Sequence, residues 1–345
     1  VNAKGIQPVW IEVENSGPDM LWLLRAGTDP DYFSPLEAAW PYHTLLGGKR
    51  NDAIDAHFDA LDFPNPIPPR STRSGIIFTN PHQRTRMLNV DLLGARRMIP
   101  FTLFLPDPDN PPDESAIEAV TRYTQSARID IRTRDSLRRR LRDSPCCAQA
   151  EGKNVAGDPI NLVLIGTFDN IAAALIRRGF RTDRKSLDDT QTLFGRLPDF
   201  VLRKPGKGGV PSHWIRAWVA PFRYREQPVW LMQAGRPVGG RTTIADDKAQ
   251  VLHPDVDEVR NLLVQDLIYS GGLATLGFVE GAGETPKYRS RSDTIGSHYH
   301  TDGLRAVMFL LSRPRKLSDF EILDWVPALE RREADAAREQ TDALR

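Results

Sequence analysis

Cysteine is nearly absent: the 345 residues hold two, adjacent at Cys146 and Cys147. With no Cys-x-x-Cys spacing, neither thioredoxin-like nor zinc-ribbon chemistry is supported. Sequence neighbours can bond to each other only as a strained vicinal disulfide. Two free thiols are the alternative, so the pair says little about redox compartment. No run of about 18 apolar residues occurs, so no transmembrane segment is expected in this chain. An excess of charge of one sign is missing as well. There are 46 Lys and Arg against 45 Asp and Glu, a formal net charge of +1. No global field therefore argues for nucleic acid, which is not expected as a partner. The glycine-rich loops at 204–209 (KPGKGG) and 236–241 (RPVGGR) lack the Gly-Lys-Ser/Thr ending of a phosphate-binding loop, and no Gly-x-Ser-x-Gly elbow is present. No catalytic constellation is complete.

What is present is ordinary globular material. The hydrophobic share is 40% and the charged share 26%, and the length suffices for two cores. In residues 8–14, Val9, Ile11 and Val13 alternate with Trp10, Glu12 and Glu14, the period of a half-buried strand. Further short strands are expected at 20–25, 75–79, 87–93 and 99–105, with a helical insertion over about 35–61. The fold predicted for residues 1–106 is an all-β sandwich domain with that helical insertion. A turn-rich stretch, Asp-Pro-Asp-Asn-Pro-Pro-Asp at 107–113, opens a helical linker over 107–144 with helices at 114–125 and 134–142. The second helix is dense in arginine, which could grip phosphates or simply form a solvated face.

From residue 145 the texture changes to alternating strands and helices. Residues 161–166 read as a short apolar strand, 168–178 as an amphipathic helix stopped by Gly179, and 214–221 with 228–233 as a hairpin. The helix at 256–268 carries Val256, Val259, Leu263 and Leu267 on one stripe. Strands at 274–280 and 304–311 complete an α+β domain over 145–315, with a mixed or largely antiparallel sheet and two helices on one face. Residues 316–345 are expected to be a charged helical tail.

Several stretches of this half occur in a telling order: Pro145-Cys-Cys147, Gly157-Asp-Pro-Ile-Asn-Leu-Val-Leu-Ile-Gly166, Leu193-Phe-Gly-Arg196, His213-Trp-Ile-Arg-Ala-Trp218, Gln227-Pro-Val-Trp230, His253-Pro-Asp-Val-Asp257, Leu263-Val-Gln-Asp-Leu267, Leu276-Gly-Phe-Val279 and Thr301-Asp-Gly-Leu-Arg-Ala-Val307. Through them, residues 145–311 resemble the LssY carboxy-terminal domain family, and the strands before residue 106 resemble the region that precedes this domain in exported members. The resemblance implies a bacterial envelope protein and implies no reaction. The chain departs from the family pattern at His253, where an acidic residue is usual, at Gln250, where a histidine is usual, and at Ser297-His-Tyr-His300, which replaces Asp-Pro-Tyr-Phe.

Candidate chemistry concentrates between residues 213 and 302. His298 and His300 share a strand face, so two imidazoles with Asp302 could hold a divalent metal such as zinc. The plainer alternative is a chance His-x-His before a common Asp-Gly turn. His253, Asp255 and Asp257 precede a helix, and with His213 and Asp302 they could supply a His/Asp pair for general acid–base work. Asp255 followed by Glu258 equally matches a capping box. Arg260 and Asp266 point to opposite sides of that helix and do not share one site. Trp214, Arg216 and Trp218 would line one strand face, able to stack a cation or sugar, or to pack against Trp230.

Two functions follow. One is a non-catalytic binding or accessory module for a protein partner or lipid headgroup in the envelope. The other is a metal- or His/Asp-dependent hydrolase of a phosphorylated envelope lipid or related ester. Whether the chain is an enzyme is left open. The location expected is the periplasm or outer envelope face, with the cytoplasm as the alternative. The first residue is Val1 and no signal peptide follows it, which leaves room for an export signal or lipid anchor ahead of it.

Overall fold

A computed structural model describes residues 5–28, 32–79, 87–95, 97–104, 129–150, 156–182, 191–206, 212–237, 252–292, 298–311 and 319–327. The helix expected at 114–125 and most of the charged tail lie outside them. The chain divides into two compact units, Val1–Pro112 and Asp113–Arg345.

Among the described residues the first unit has six strands and two α-helices: β1 (Gln7–Asn15), β2 (Trp22–Leu23), β3 (Tyr32–Phe33), α1 (Pro35–Ala39), α2 (Gly48–Leu61), β4 (Ser71–Thr79), β5 (Met87–Gly94) and β6 (Arg97–Phe104). The strands form two three-stranded sheets, ordered β1-β4-β3 and β2-β5-β6. The alternation read in β1 is realised: Val9 and Ile11 are buried while Trp10 is exposed. They join Leu23, Ile77, Leu88, Val90 and Leu92 in a core drawn from both sheets. Helix α1 starts at a full capping box, with Ser34 and Glu37 bonding reciprocally. Ala38, Ala39 and Phe58 seal a second small core against Phe78.

The second unit is organised by a nine-stranded mixed sheet. Its strands and helices are β7 (Ile129–Ile131), α3 (Arg134–Arg142), β8 (Cys147–Ala150), β9 (Ala156–Pro159), β10 (Leu162–Ile165), α4 (Phe168–Arg177), β11 (Arg181–Thr182), β12 (Gln191–Thr192), β13 (Phe200–Lys204), β14 (His213–Tyr224), β15 (Gln227–Gly235), α5 (Val256–Tyr269), β16 (Leu273–Glu280), β17 (Arg291–Ser292), β18 (His298–Tyr299), β19 (Leu304–Leu310) and β20 (Glu321–Ile322). The main sheet runs β11-β13-β14-β15-β10-β19-β16-β20, with β7 beside β14. Pairs β10–β19, β14–β7 and β16–β20 are parallel and the rest antiparallel.

Both sheet faces are covered, which is why β10 is apolar at every position. One face packs Leu162, Leu164, Ile215, Trp230 and Met308 against α4 and α5. The other packs Val163, Ile165, Trp218 and Leu231 against Leu137 and Leu141 of α3. Trp218 and Trp230 thus face opposite layers, which corrects the expectation that the Trp214–Trp218 face would pack against Trp230. Adjacent residues of a strand point to opposite faces, and Trp218 pairs with Leu231, one position on from Trp230. The β14–β15 hairpin turns through Arg225 (φ 46°) and Glu226 (φ 67°), a left-handed conformation uncommon for such side chains. Strand β7 secures it: Arg225 N–H donates to Ile131 O at 2.9 Å, and Glu226 N–H to Asp130 Oδ1 at 2.9 Å.

Candidate functional site

Two sequence-distant candidate stretches meet at the amino end of α5. The His300 N–H donates to Pro254 O at 2.9 Å, and Val256 N–H donates to His300 O at 3.4 Å. This lays His253-Pro-Asp-Val-Asp257 beside His298-Tyr-His300 and the Thr301-Asp-Gly turn. Asp255 is the helix cap: its Oδ1 accepts from Asp257 N at 3.0 Å and Glu258 N at 2.9 Å. His253 Nδ1 accepts from Asp255 N–H at 3.2 Å within the same loop.

The centre of the junction is Arg260, 1% exposed. Its guanidinium donates to both Asp302 oxygens at 2.8 and 3.0 Å, to Leu304 O at 2.8 Å and to Asp257 Oδ1 at 3.2 Å. Asp257 also accepts from Thr301 Oγ1 at 2.8 Å and from Asp302 N–H at 2.7 Å. Burial, helped by the Asp302 charge and opposed by Arg260, pushes the Asp257 carboxyl up to about 6. Burial would raise Asp302 too, but its bonds to Arg260 outweigh that and hold it below the usual carboxylate value. Burial likewise works against the Arg260 cation, yet Asp302 and Asp257 raise its pKa. The helix i,i+3 spacing of Asp257 and Arg260 was legible in the sequence; the partner 42 residues on was not.

The proposed metal set does not assemble. Both Asp302 oxygens are bonded to Arg260, His298 is exposed beside Ser292 Oγ at 3.4 Å, and among the described residues no group of three His, Cys, Asp or Glu could hold a metal ion. His253 and His298 do share the lining of one small cavity of about 20 Å³, with Trp214, Asp158, Arg236 and Tyr299; that is room for roughly one water. His213 is buried opposite Lys204 on the neighbouring strand and does not line it.

The aromatic face is also packed rather than presented. Trp218 is fully buried, its indole N–H donating to Arg196 O at 3.1 Å, so it cannot stack a ligand. Trp214 is covered by the Arg216 guanidinium at 3.9 Å from its ring centre. Arg216 in turn pairs with Asp158 at 3.2 Å, which also accepts from Gln191 Nε2 at 2.7 Å. Gly235 is required opposite Trp214, because a Cβ there would lie 2.0 Å from the indole.

Two features had no signal in the sequence, and a third is one of the two alternatives it offered. Arg305, fully buried, donates to the carbonyls of Leu141, Ser144, Pro145 and Gly281 at 2.5–3.1 Å. It closes the carboxyl end of α3, where a cation is favoured, and burial lowers its pKa only to about 10. Beside it, Cys146 and Cys147 are joined as a vicinal disulfide. In the first unit, an open groove of about 480 Å³ is lined by Trp10, Arg25, Asp59, Asp62 and Ile76 among others. Arg25 and Asp62 form an ion pair there, and Asp62 Oδ1 and Arg25 Nε are buried without a hydrogen-bond partner among the described residues.

No family model matches the chain, and comparison with curated proteins and with solved structures finds no match.

Proposed function

We propose that this chain is a non-catalytic binding or accessory module for a lipid or protein partner in the bacterial cell envelope. The observation that carries it is the state of the converging carboxylates. Asp255 caps α5, Asp302 is held by Arg260, and Asp257 accepts bonds from Thr301, Asp302 and Arg260. Groups so engaged act as a brace between α5 and the Thr301-Asp-Gly turn rather than as a mobile acid or base. The open groove of the first unit, read as part of a β-sandwich with a helical insertion, offers concave surface of the volume usual for ligands. The envelope setting, periplasmic or at the outer face, rests on the resemblance to the LssY carboxy-terminal domain.

Two observations favour the second reading, a hydrolase of a phosphorylated envelope lipid or related ester. A carboxyl near 6 is poised for proton transfer, and His253 and His298 line a common cavity. The discriminating experiment is a phosphoester and carboxylic-ester screen on the intact chain, with and without zinc, beside His253→Ala and a His298→Ala/His300→Ala double variant. Elemental mass spectrometry is run on each. The module predicts no turnover above the variants. Turnover or near-stoichiometric metal that disappears in a variant would overturn it.

A further inference from the structure

We propose that the turn formed by Thr44, Leu45, Leu46 and Gly47 is a docking tip for a phospholipid bilayer, with the leucines entering the acyl boundary and Lys49 and Arg50 meeting headgroup phosphates. This rests on the binding-module function and names its partner as a lipid surface. Leu45 and Leu46 are 105% and 100% exposed, as open as in an extended chain, and Leu36 and Trp40, earlier in the same segment, are 51% and 65% exposed. Leu36 and Trp40 are four residues apart, so they share one side of the α1 turn. Ala38 and Ala39 carry the buried side. The segment therefore has a core face that is already satisfied and a second apolar surface that is not.

The tip is built, not loose. Gly47 N–H closes the turn on Thr44 O at 3.0 Å. The Asn51 side chain clasps Thr44 from both sides, accepting from its N–H at 3.1 Å and donating to its carbonyl at 2.9 Å. A side chain at residue 47 would meet Asn51 Oδ1 at 2.3 Å and Thr44 Oγ1 at 2.5 Å, so glycine leaves room for the Asn51 clasp. The middle positions of a solvated turn ordinarily take Gly, Pro, Asn, Asp or Ser; here both are leucine. Pre-ordering means that little conformational freedom is lost when the tip is buried.

The charge that follows breaks a second local rule. Helix α2 begins directly after the turn, its Gly47 cap makes no side-chain bond, and its first turn carries no acid. Instead it places exposed Lys49 and Arg50 at the end of the helix that favours anions. The basic pair does not serve the helix, and two departures at one tip point to a surface outside the chain. A bilayer satisfies both: apolar side chains enter, tryptophan sits at the interface, and long cationic side chains reach phosphates. A projecting knob with two leucines gives only weak, reversible attachment, as expected of a peripheral contact.

The test is co-sedimentation of the full chain with large unilamellar vesicles of 3:1 phosphatidylcholine and phosphatidylglycerol. Wild type is expected to partition onto them, with L45E/L46E weakening this by about tenfold or more and K49E/R50E by several-fold at low salt. Because Leu45 and Leu46 are fully exposed and acids are favoured at the amino end of α2, thermal melting of both variants should be no lower than that of wild type, which separates lost docking from lost folding. Failure of the wild type to bind, or equal binding by L45E/L46E, would overturn the proposal. If vesicles are not bound and no ester is turned over, the bilayer idea fails while a protein-binding module stands. Ester turnover would overturn the module itself, whatever the vesicles show.

Discussion

Replacing Arg260 with methionine should be among the most damaging single changes in the second unit. Methionine fills much of the aliphatic volume, so the loss is chiefly electrostatic. It leaves Asp257, whose side chain is 10% exposed, facing Asp302 without a counterion. Breaking a buried pair from one side costs about 3–5 kcal/mol. For a unit of this size that lowers Tm by about 6–20 °C, readable by scanning calorimetry. Asp302 is 35% exposed, so water takes over part of its solvation and Asp302→Asn should cost less, about 1–2 kcal/mol. The double variant should lose less than the sum, because removing one carboxylate relieves the repulsion that the arginine had balanced. The pH dependence has a definite sign. The folded Asp257 value of about 6 lies above the ordinary 3.8, so the native state takes up this proton first. Its contribution to stability is fullest below pH 4 and falls as pH rises from there through 6. Without Arg260 the carboxyl moves higher still, so the deficit of the variant should widen between pH 5 and pH 8. A loss under about 1 kcal/mol, or the same loss at both pH values, would refute the assignment of this cluster as the brace of α5.

Two further outcomes follow from buried contacts. Arg305→Met should destabilise more than Arg305→Lys, by about 4 against about 2 kcal/mol in urea titrations, because lysine keeps a charge and some donors for the four carbonyls at the end of α3 while methionine leaves them unmet; equal effects would show that the carbonyl cage is not what matters. Gly235→Ala should cost about 1–3 kcal/mol or more and shift indole emission, since the new methyl group would overlap Trp214; an unchanged melt and spectrum would contradict that packing.

Local physics accounts for much that was legible from residue order. The alternation of Val9, Ile11 and Val13, the Asp255 cap, the apolar run of β10 and the stripe on α5 are each set by neighbours within a few positions. Several short strands were not legible: β8, β9 and β12 hold two to four residues each, too few for a period to register and without the apolar run that marks β10. Nor could the roles of the candidate residues be read. His298, His300 and Asp302 have a spacing compatible with a metal site, but the bidentate bond from Arg260 to Asp302 removes the carboxylate from it. Trp214, Arg216 and Trp218 do share a face, as strand parity requires. Whether that face met solvent depended on α3 and on the β8–β9–β12 sheet that covers it.

The sequence by itself determined where the longer strands and helices lie, which side of each is apolar, and that the second unit mixes helices with a sheet, because these depend on periodicity and on caps. Only the tertiary structure decided that a lone arginine would join α5 to a turn 42 residues away, that Arg305 would be met by carbonyls rather than a carboxylate, and that Leu45 and Leu46 would stand in solvent. Those outcomes depend on desolvation and on partners distant along the chain, and neither is encoded in the spacing of neighbouring residues.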